Sequence, residues 1–213
     1  VRNYDFSSPR FLNCLFTGNT ANYGGAINNN QNATPNIMNC TITGNVANRY
    51  GGGMYSNAAF AEPTIVNTII YGNTGVLGDN GIVRAYNEAF VPANIGYSLV
   101  EGATIDDDWG NISFGGTAAD LFNDIAGGDY TVRISSPTIN HGQTSVVPAN
   151  ALTDLAGNAR VAGVVDIGAY EAPVCFVGTT IHVNQAAIVS GSGYGWYNAY
   201  KTLGEALGFV EGE

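Results

Sequence analysis

Apolar residues along most of this chain come in short runs of β-branched or aromatic side chains that alternate with polar ones and stop at Gly-Asn or Gly-Gly. A period of two, without the 3.6-residue spacing of an amphipathic helix, predicts short strands joined by tight turns. The runs also repeat. PRFLNCLFTGN (Pro9 to Asn19), PNIMNCTITGN (Pro35 to Asn45) and PTIVNTIIYGN (Pro63 to Asn73) align without gaps, their starts 26 and 28 residues apart. A second element keeps step, because the stretch from Gly24 to Asn29 recurs 28 residues later as Gly52 to Asn57.

A unit of this length is one coil of two or three short strands, and stacked coils place equivalent side chains in columns about 4.8 Å apart. The pattern therefore predicts an all-β protein, a parallel β-helix, in preference to an antiparallel sandwich, which needs hairpin signals and no in-register repeat. Leu12, Cys14 and Phe16, stacked over Met38, Cys40 and Ile42 and over Val66, Thr68 and Ile70, are assigned to the interior. Asn13, Asn39 and Asn67 are expected to form an asparagine ladder whose amides bond from coil to coil. Asn94 to Gly102 reads as a fourth, degenerate coil, with insertions at 74–93 and 103–118.

Composition sharpens this. The 29 glycines and 25 asparagines are the residues that best tolerate left-handed backbone angles, so corners are plentiful. Only 11% of residues are charged and Lys201 is the single lysine, which excludes a basic groove for nucleic acid and a polybasic membrane patch. With 45% hydrophobic residues the chain can bury a core, but no apolar run is long enough for a membrane-spanning helix, so direct membrane insertion is not expected. The net charge of −10 reflects missing Lys and Arg and is compatible with divalent cations. The chain starts without Met and stops at Glu213, which suggests a piece of a longer polypeptide.

The stretch Ala119 to Gly142, followed by Thr153 to Glu171 with its DLAGNAR and VDIGAYE phrases, resembles the closing segment of bacterial secreted proteins of the pectin-lyase-like superfamily, which implies a right-handed parallel β-helix. Asp120, Gly127, Gly128, Asp129, Tyr130, Ser136, Pro137, Asp154, Asn158, Arg160, Asp166, Gly168, Tyr170 and Glu171 fill matching places, with Asp166 and Tyr170 in structural roles. Ile181 to Val210 is similar to the opening of a further β-helix. There Trp196, Tyr200, Leu203, Leu207 and Val210 step by 4, 3, 4 and 3, one face of a short capping α-helix near the C-terminus. The resemblance implies closing coils over 1–171, a linker at 172–180 and the start of a second β-helix over 181–213. It also implies a secreted or cell-surface location in a tandem array whose neighbouring β-helix domains belong to the same polypeptide.

Catalysis is not expected from these residues. A lyase needs a Lys or Arg base beside cationic groups, yet Arg2, Arg10, Arg49, Arg84, Arg133 and Arg160 are scattered. A hydrolase needs carboxylates on neighbouring coils, where this chain carries Asn, Gly and Thr. No cofactor is required; calcium is the one candidate, at Asp106 and Asp108 or at Asp124 and Asp129. Cys14 and Cys40 are expected as stacked thiols, since in-register Cβ vectors run parallel, and Cys175 is the odd cysteine. Tyr23, Tyr50, Tyr71, Tyr86, Phe90 and Tyr97 fall in turns and insertions, where rings can stack on sugars or pack over the wall. The expectation is a non-catalytic stalk or adhesin module whose partner is a polysaccharide or an external surface. The alternative is an accessory domain of a polysaccharide lyase or glycoside hydrolase with its active site outside this chain.

Overall fold

In the computed structural model, residues 1–57, 62–78, 80–84, 94–102 and 109–172 are described, Val83 and Arg84 by their backbone alone. The chain divides into two compact units, Val1–Glu171 and Ala172–Glu213. The linker beyond Ala172 and the capping helix expected near Asn198 lie outside the described residues, as do Tyr86, Phe90, Asp106, Asp108 and Cys175.

The first unit opens on β1 (Arg2–Asn3) and then winds through repeated turns. One turn is β2 (Arg10–Leu12), β3 (Leu15–Phe16), β4 (Thr20–Tyr23) and β5 (Ile27–Asn29). The next is β6 (Asn36–Met38), β7 (Thr41–Ile42), β8 (Val46–Tyr50) and β9 (Met54–Ser56), followed by β10 (Thr64–Val66), β11 (Ile69–Ile70), β12 (Thr74–Gly75) and β13 (Ile82–Arg84). A last turn begins with β14 (Ile95–Gly96) and β15 (Leu99–Val100). Strands at the same place in successive turns pair in parallel, giving four walls: β2-β6-β10-β14, β3-β7-β11-β15, β4-β8-β12 and β1-β5-β9-β13. This is a parallel β-solenoid, and Asn94 to Gly102 forms the fourth coil. The expected insertion at 74–93 is corrected in part: Thr74–Gly75 and Ile82–Arg84 pair with β8 and β9 as regular wall strands.

The interior assignment needs one correction. Asn13, Asn39 and Asn67 have φ of 51°, 48° and 51°, and Tyr97 takes the same place at 48°. One left-handed residue between the first two walls reverses the in-out alternation, so the inward residues of the first wall are Phe11, Ile37, Ile65 and Ile95, not Leu12, Met38 and Val66. Past that corner the expected columns hold, with Cys14 and Cys40, then Phe16, Ile42, Ile70 and Val100, in the core cluster. Each fully buried isoleucine contributes about 1.5–3 kcal/mol relative to exposure.

The asparagine ladder exists at a different corner. The Asn19 amide donates to Asn45 Oδ1 (2.9 Å), and the Asn45 amide donates to Asn73 Oδ1 (2.9 Å). The backbone N–H groups of Asn19 and Asn45 donate to the same oxygens at 3.1 Å. At the left-handed corner the side chains project off the stacking axis and never meet one another. Asn13 donates to the Thr153 carbonyl (2.7 Å), Asn67 exchanges bonds with the Gln143 backbone, and the buried Asn39 amide has no partner among the described residues.

Those partners belong to the closing segment, residues 117–171, which contains α1 (Ala118–Leu121), the hairpin β16 (Phe122–Asp124) and β17 (Asp129–Val132), and a 3-10 turn at Thr144–Val146. The segment runs back along the outside of the second wall. Thr17 Oγ1 donates to the Tyr130 hydroxyl at 3.0 Å, the Ala169 N–H donates to Thr41 Oγ1 at 3.0 Å, and the Gly168 N–H donates to the Asn67 carbonyl at 2.9 Å. Its passage buries Thr41 and Ile69 on the outer face of that wall. Gly168, at φ 115°, passes so close that a Cβ would stand 2.9 Å from Ile69 Cδ1.

Candidate functional site

The third wall ends at a corner where two coils each place a tyrosine before paired glycines: Tyr23 before Gly24 and Gly25, and Tyr50 before Gly51 and Gly52. Backbones touch here. A Cβ on Gly25 would lie 2.3 Å from the Gly52 carbonyl oxygen, so only glycine lets the coils close. The tight turn brings the outward residue of β9, Tyr55, round to the tyrosine column. The Tyr23 and Tyr50 rings stack with centroids 6.4 Å apart at 27°, and Tyr23 and Tyr55 lie 4.9 Å apart at 41°. The Arg49 guanidinium lies 5.6 Å from the Tyr23 centroid, and its Nη1 donates to the Tyr23 hydroxyl at 3.0 Å.

The surface around this cluster is polar and open. Asn22, Asn48, Arg49 and Tyr50 are exposed, and the Asn48 amide donates to Asn22 Oδ1 at 3.3 Å on the outer face of the wall. Amides, a guanidinium and aromatic rings on a flat, rigid face offer both hydrogen-bonding groups and stacking area. Sequence reasoning singled out Tyr23 and Tyr50 but missed Arg49 and Tyr55. The Tyr-Gly-Gly repeat would have flagged the tyrosine column; Tyr55 comes near only through the turn geometry.

The other aromatic candidates sit elsewhere. Tyr71 is buried: its hydroxyl donates to the Gly116 carbonyl at 2.5 Å, its ring packs edge-on to Phe114, and burial beside Glu101 and Asp120 raises its pKa. In this position its ring packs over the wall, against the stretch that leads into the closing segment. Tyr97 is half-buried, its ring against Gly110.

Asp124 and Asp129 face each other across the β16–β17 hairpin, but each serves its own turn. Asp124 Oδ1 accepts from the Gly127 N–H at 2.9 Å, and Asp129 Oδ1 accepts from the Thr131 N–H and hydroxyl. Among the described residues no group of three His, Cys, Asp or Glu side chains is placed to hold a metal.

A buried charged cluster pins the end of the closing segment. Arg160, fully buried, pairs with Glu171 at 2.9 Å and donates to the carbonyls of Gly168 (3.0 Å) and Asp166 (2.7 Å). Asp154 accepts from the N–H groups of Ala156, Asn158 and Glu171, while Asp166 Oδ1 accepts from the Asn140 N–H at 2.7 Å. Burial raises the Glu171 carboxyl to about 8 against the opposing pull of Arg160. Tyr170 is half-buried, and burial beside Asp129 and Asp154 raises its pKa. With Arg160, Asp154 and Asp166 bonded to backbone groups of the segment itself, the cluster is a clasp.

No family model, curated protein or solved structure matches this chain.

Proposed function

We propose that this chain is a non-catalytic module of a bacterial cell-surface protein of the pectin-lyase-like kind, a rigid stalk that adheres to a polysaccharide or an external surface through its tyrosine corner. The observation that carries this reading is the gathering of Tyr23, Tyr50, Tyr55 and Arg49 on an exposed edge of the wall, beside the Asn22–Asn48 amide pair. A solenoid suits the role because each coil contacts only its neighbours, so length grows without a larger core. In-register side chains repeat the tyrosine and the asparagine on two adjacent rungs, matching a ligand that itself repeats.

The test is binding of the intact chain to a panel of immobilised polysaccharides, followed by Tyr50→Ala. An aromatic contact worth about 0.5–1.5 kcal/mol predicts roughly 2- to 12-fold weaker binding, with the circular dichroism spectrum unchanged. Depolymerisation of any bound polysaccharide by the chain, or binding indifferent to Tyr50→Ala and Arg49→Gln, would overturn the proposal.

A further inference from the structure

One column of the interior carries chemistry that the adhesive reading does not use. In successive coils it holds Cys14, Cys40, Thr68 and Ser98, each just past the left-handed corner. All four side chains make the same bond, donating to the carbonyl two residues back: Cys14 to Leu12 (3.2 Å), Cys40 to Met38 (3.1 Å), Thr68 to Val66 (2.9 Å) and Ser98 to Gly96 (2.8 Å). Hydroxyls therefore satisfy the column's structural need, and they also accept the N–H of the neighbouring coil, Cys40 to Thr68 and Thr68 to Ser98. Nothing in the corner geometry demands sulfur, yet two thiols occupy adjacent places.

The two cysteines sit in strict register. The pairs Leu12↔Met38 and Leu15↔Thr41 flank them, and the Thr41 N–H donates to the Cys14 carbonyl at 2.9 Å. Neighbouring coils at about 4.8 Å put the two Cα atoms inside the span a disulfide bridges. Both are free thiols, each donating to its own carbonyl two residues back. Cys14 is half-buried and Cys40 fully buried, so an oxidant from solvent meets Cys14 first.

We propose that Cys14 and Cys40 are a peroxide-oxidisable pair that closes a reversible disulfide between adjacent coils. Cys14 reacts as thiolate, its pKa lowered to about 6 chiefly by the neighbouring Cys40 thiol. The thiolate attacks one oxygen of hydrogen peroxide; the O–O bond breaks, hydroxide leaves and takes up a proton, and Cys14 becomes a sulfenic acid. Cys40, whose pKa burial raises, then loses its proton to the departing hydroxyl as its sulfur attacks Cys14 Sγ, expelling water. In sum two thiols and one peroxide give one disulfide and two waters. Parallel Cβ vectors require both sulfurs to swing off the carbonyls of Leu12 and Met38, so the bond is strained and easily reduced.

The experiment treats the folded chain, carrying Cys175→Ser so that only the pair is read, with stoichiometric hydrogen peroxide, then alkylates it after unfolding and maps the peptides by mass spectrometry. The expected result is loss of both alkylatable thiols, a peptide linking Cys14 to Cys40 and recovery with a mild dithiol. Cys40→Ser, a residue the column already accepts at Ser98, is expected to trap the Cys14 sulfenic acid, read by dimedone labelling. Two intact thiols, or over-oxidation of Cys14 with Cys40 still alkylatable in the chain that keeps both cysteines, would overturn the proposal.

Discussion

Two asparagines that look equivalent in the repeat are predicted to differ sharply when replaced. Asn45 is fully buried in the corner ladder; its Nδ2 donates to Phe16 O (2.9 Å), Thr43 O (3.0 Å) and Asn73 Oδ1 (2.9 Å), and its Oδ1 accepts from the Asn19 N–H (3.1 Å) and amide (2.9 Å). Asn45→Ala removes all of these. The Asn73 oxygen keeps the Asn45 N–H, and the Asn19 amide keeps the Thr17 carbonyl, so those two partners are only partly stranded. Phe16 O likewise keeps the Thr43 N–H, whereas Thr43 O and the Asn19 N–H lose a bond inside the protein, which at about 1–1.5 kcal/mol each gives a cost of about 2–3 kcal/mol. Asn39 is equally buried, but its amide has no partner among the described residues, and its φ of 48° suits glycine. Asn39→Gly gives up a little chain entropy and removes an unsatisfied amide, so it should stay within about 1 kcal/mol of the parent or exceed it. Urea unfolding followed by circular dichroism measures both, and calorimetry should place Asn45→Ala roughly 4 to 12 °C lower in Tm. The reasoning fails if Asn39→Gly costs as much as Asn45→Ala.

The clasp makes two further predictions. Arg160→Met leaves the carbonyls of Gly168 and Asp166 without their guanidinium donor and Glu171 with the Asp166 N–H but no cation, and should cost about 3–5 kcal/mol in the same urea titration. Glu171 titrates near 8 when folded against 4.5 ordinarily, so through that window the folded state holds a proton that the unfolded chain releases. Stability from this group therefore rises as pH falls from about 8 toward 4.5, and Glu171→Gln should flatten the dependence of Tm on pH over that range. A Tm that falls from pH 5 to 8 equally in the parent and the variant would exclude Glu171 as the responsible group.

The walls were legible in the sequence because a parallel solenoid writes its register as a repeat: the 26- and 28-residue offsets return as the Phe11↔Ile37 and Ile37↔Ile65 pairs. The parity of the first wall was not legible. Reading Leu12, Cys14 and Phe16 as one face assumes an unbroken strand, and the left-handed Asn13 between them shifts the phase by one residue. The ladder was misplaced for a related reason. Asparagine recurs at two corners, once because it tolerates positive φ and once because its amide bridges coils, and only backbone geometry separates the two uses. At the candidate site the tyrosine column could be read from the repeat, whereas Arg49 and Tyr55 depend on how tightly the glycines fold the corner. The role of Arg160 was hidden entirely, since an isolated arginine beside DLAGN carries no sign that its partner, Glu171, arrives 11 residues later.

The closing segment explains why the two sides of this solenoid differ. A bare solenoid is held by nearest-neighbour contacts and frays from its ends. Here residues 117–171 cross the coils and tie Asn13, Thr17, Thr41 and Asn67 to positions 76 to 140 residues away in sequence. Coils that would open one at a time are cross-braced. The brace occupies the outer face of the second wall, which is why Thr41 and Ile69 are buried there although they point away from the core. On the third wall the outward residues Asn22, Asn48 and Arg49 are exposed, and that wall ends in the stacked tyrosines. The proposed adhesive surface thus falls on the wall that the brace leaves open, backed by coils that the brace holds rigid, and a pre-formed rigid face spends less of its contact energy on ordering itself when a ligand binds.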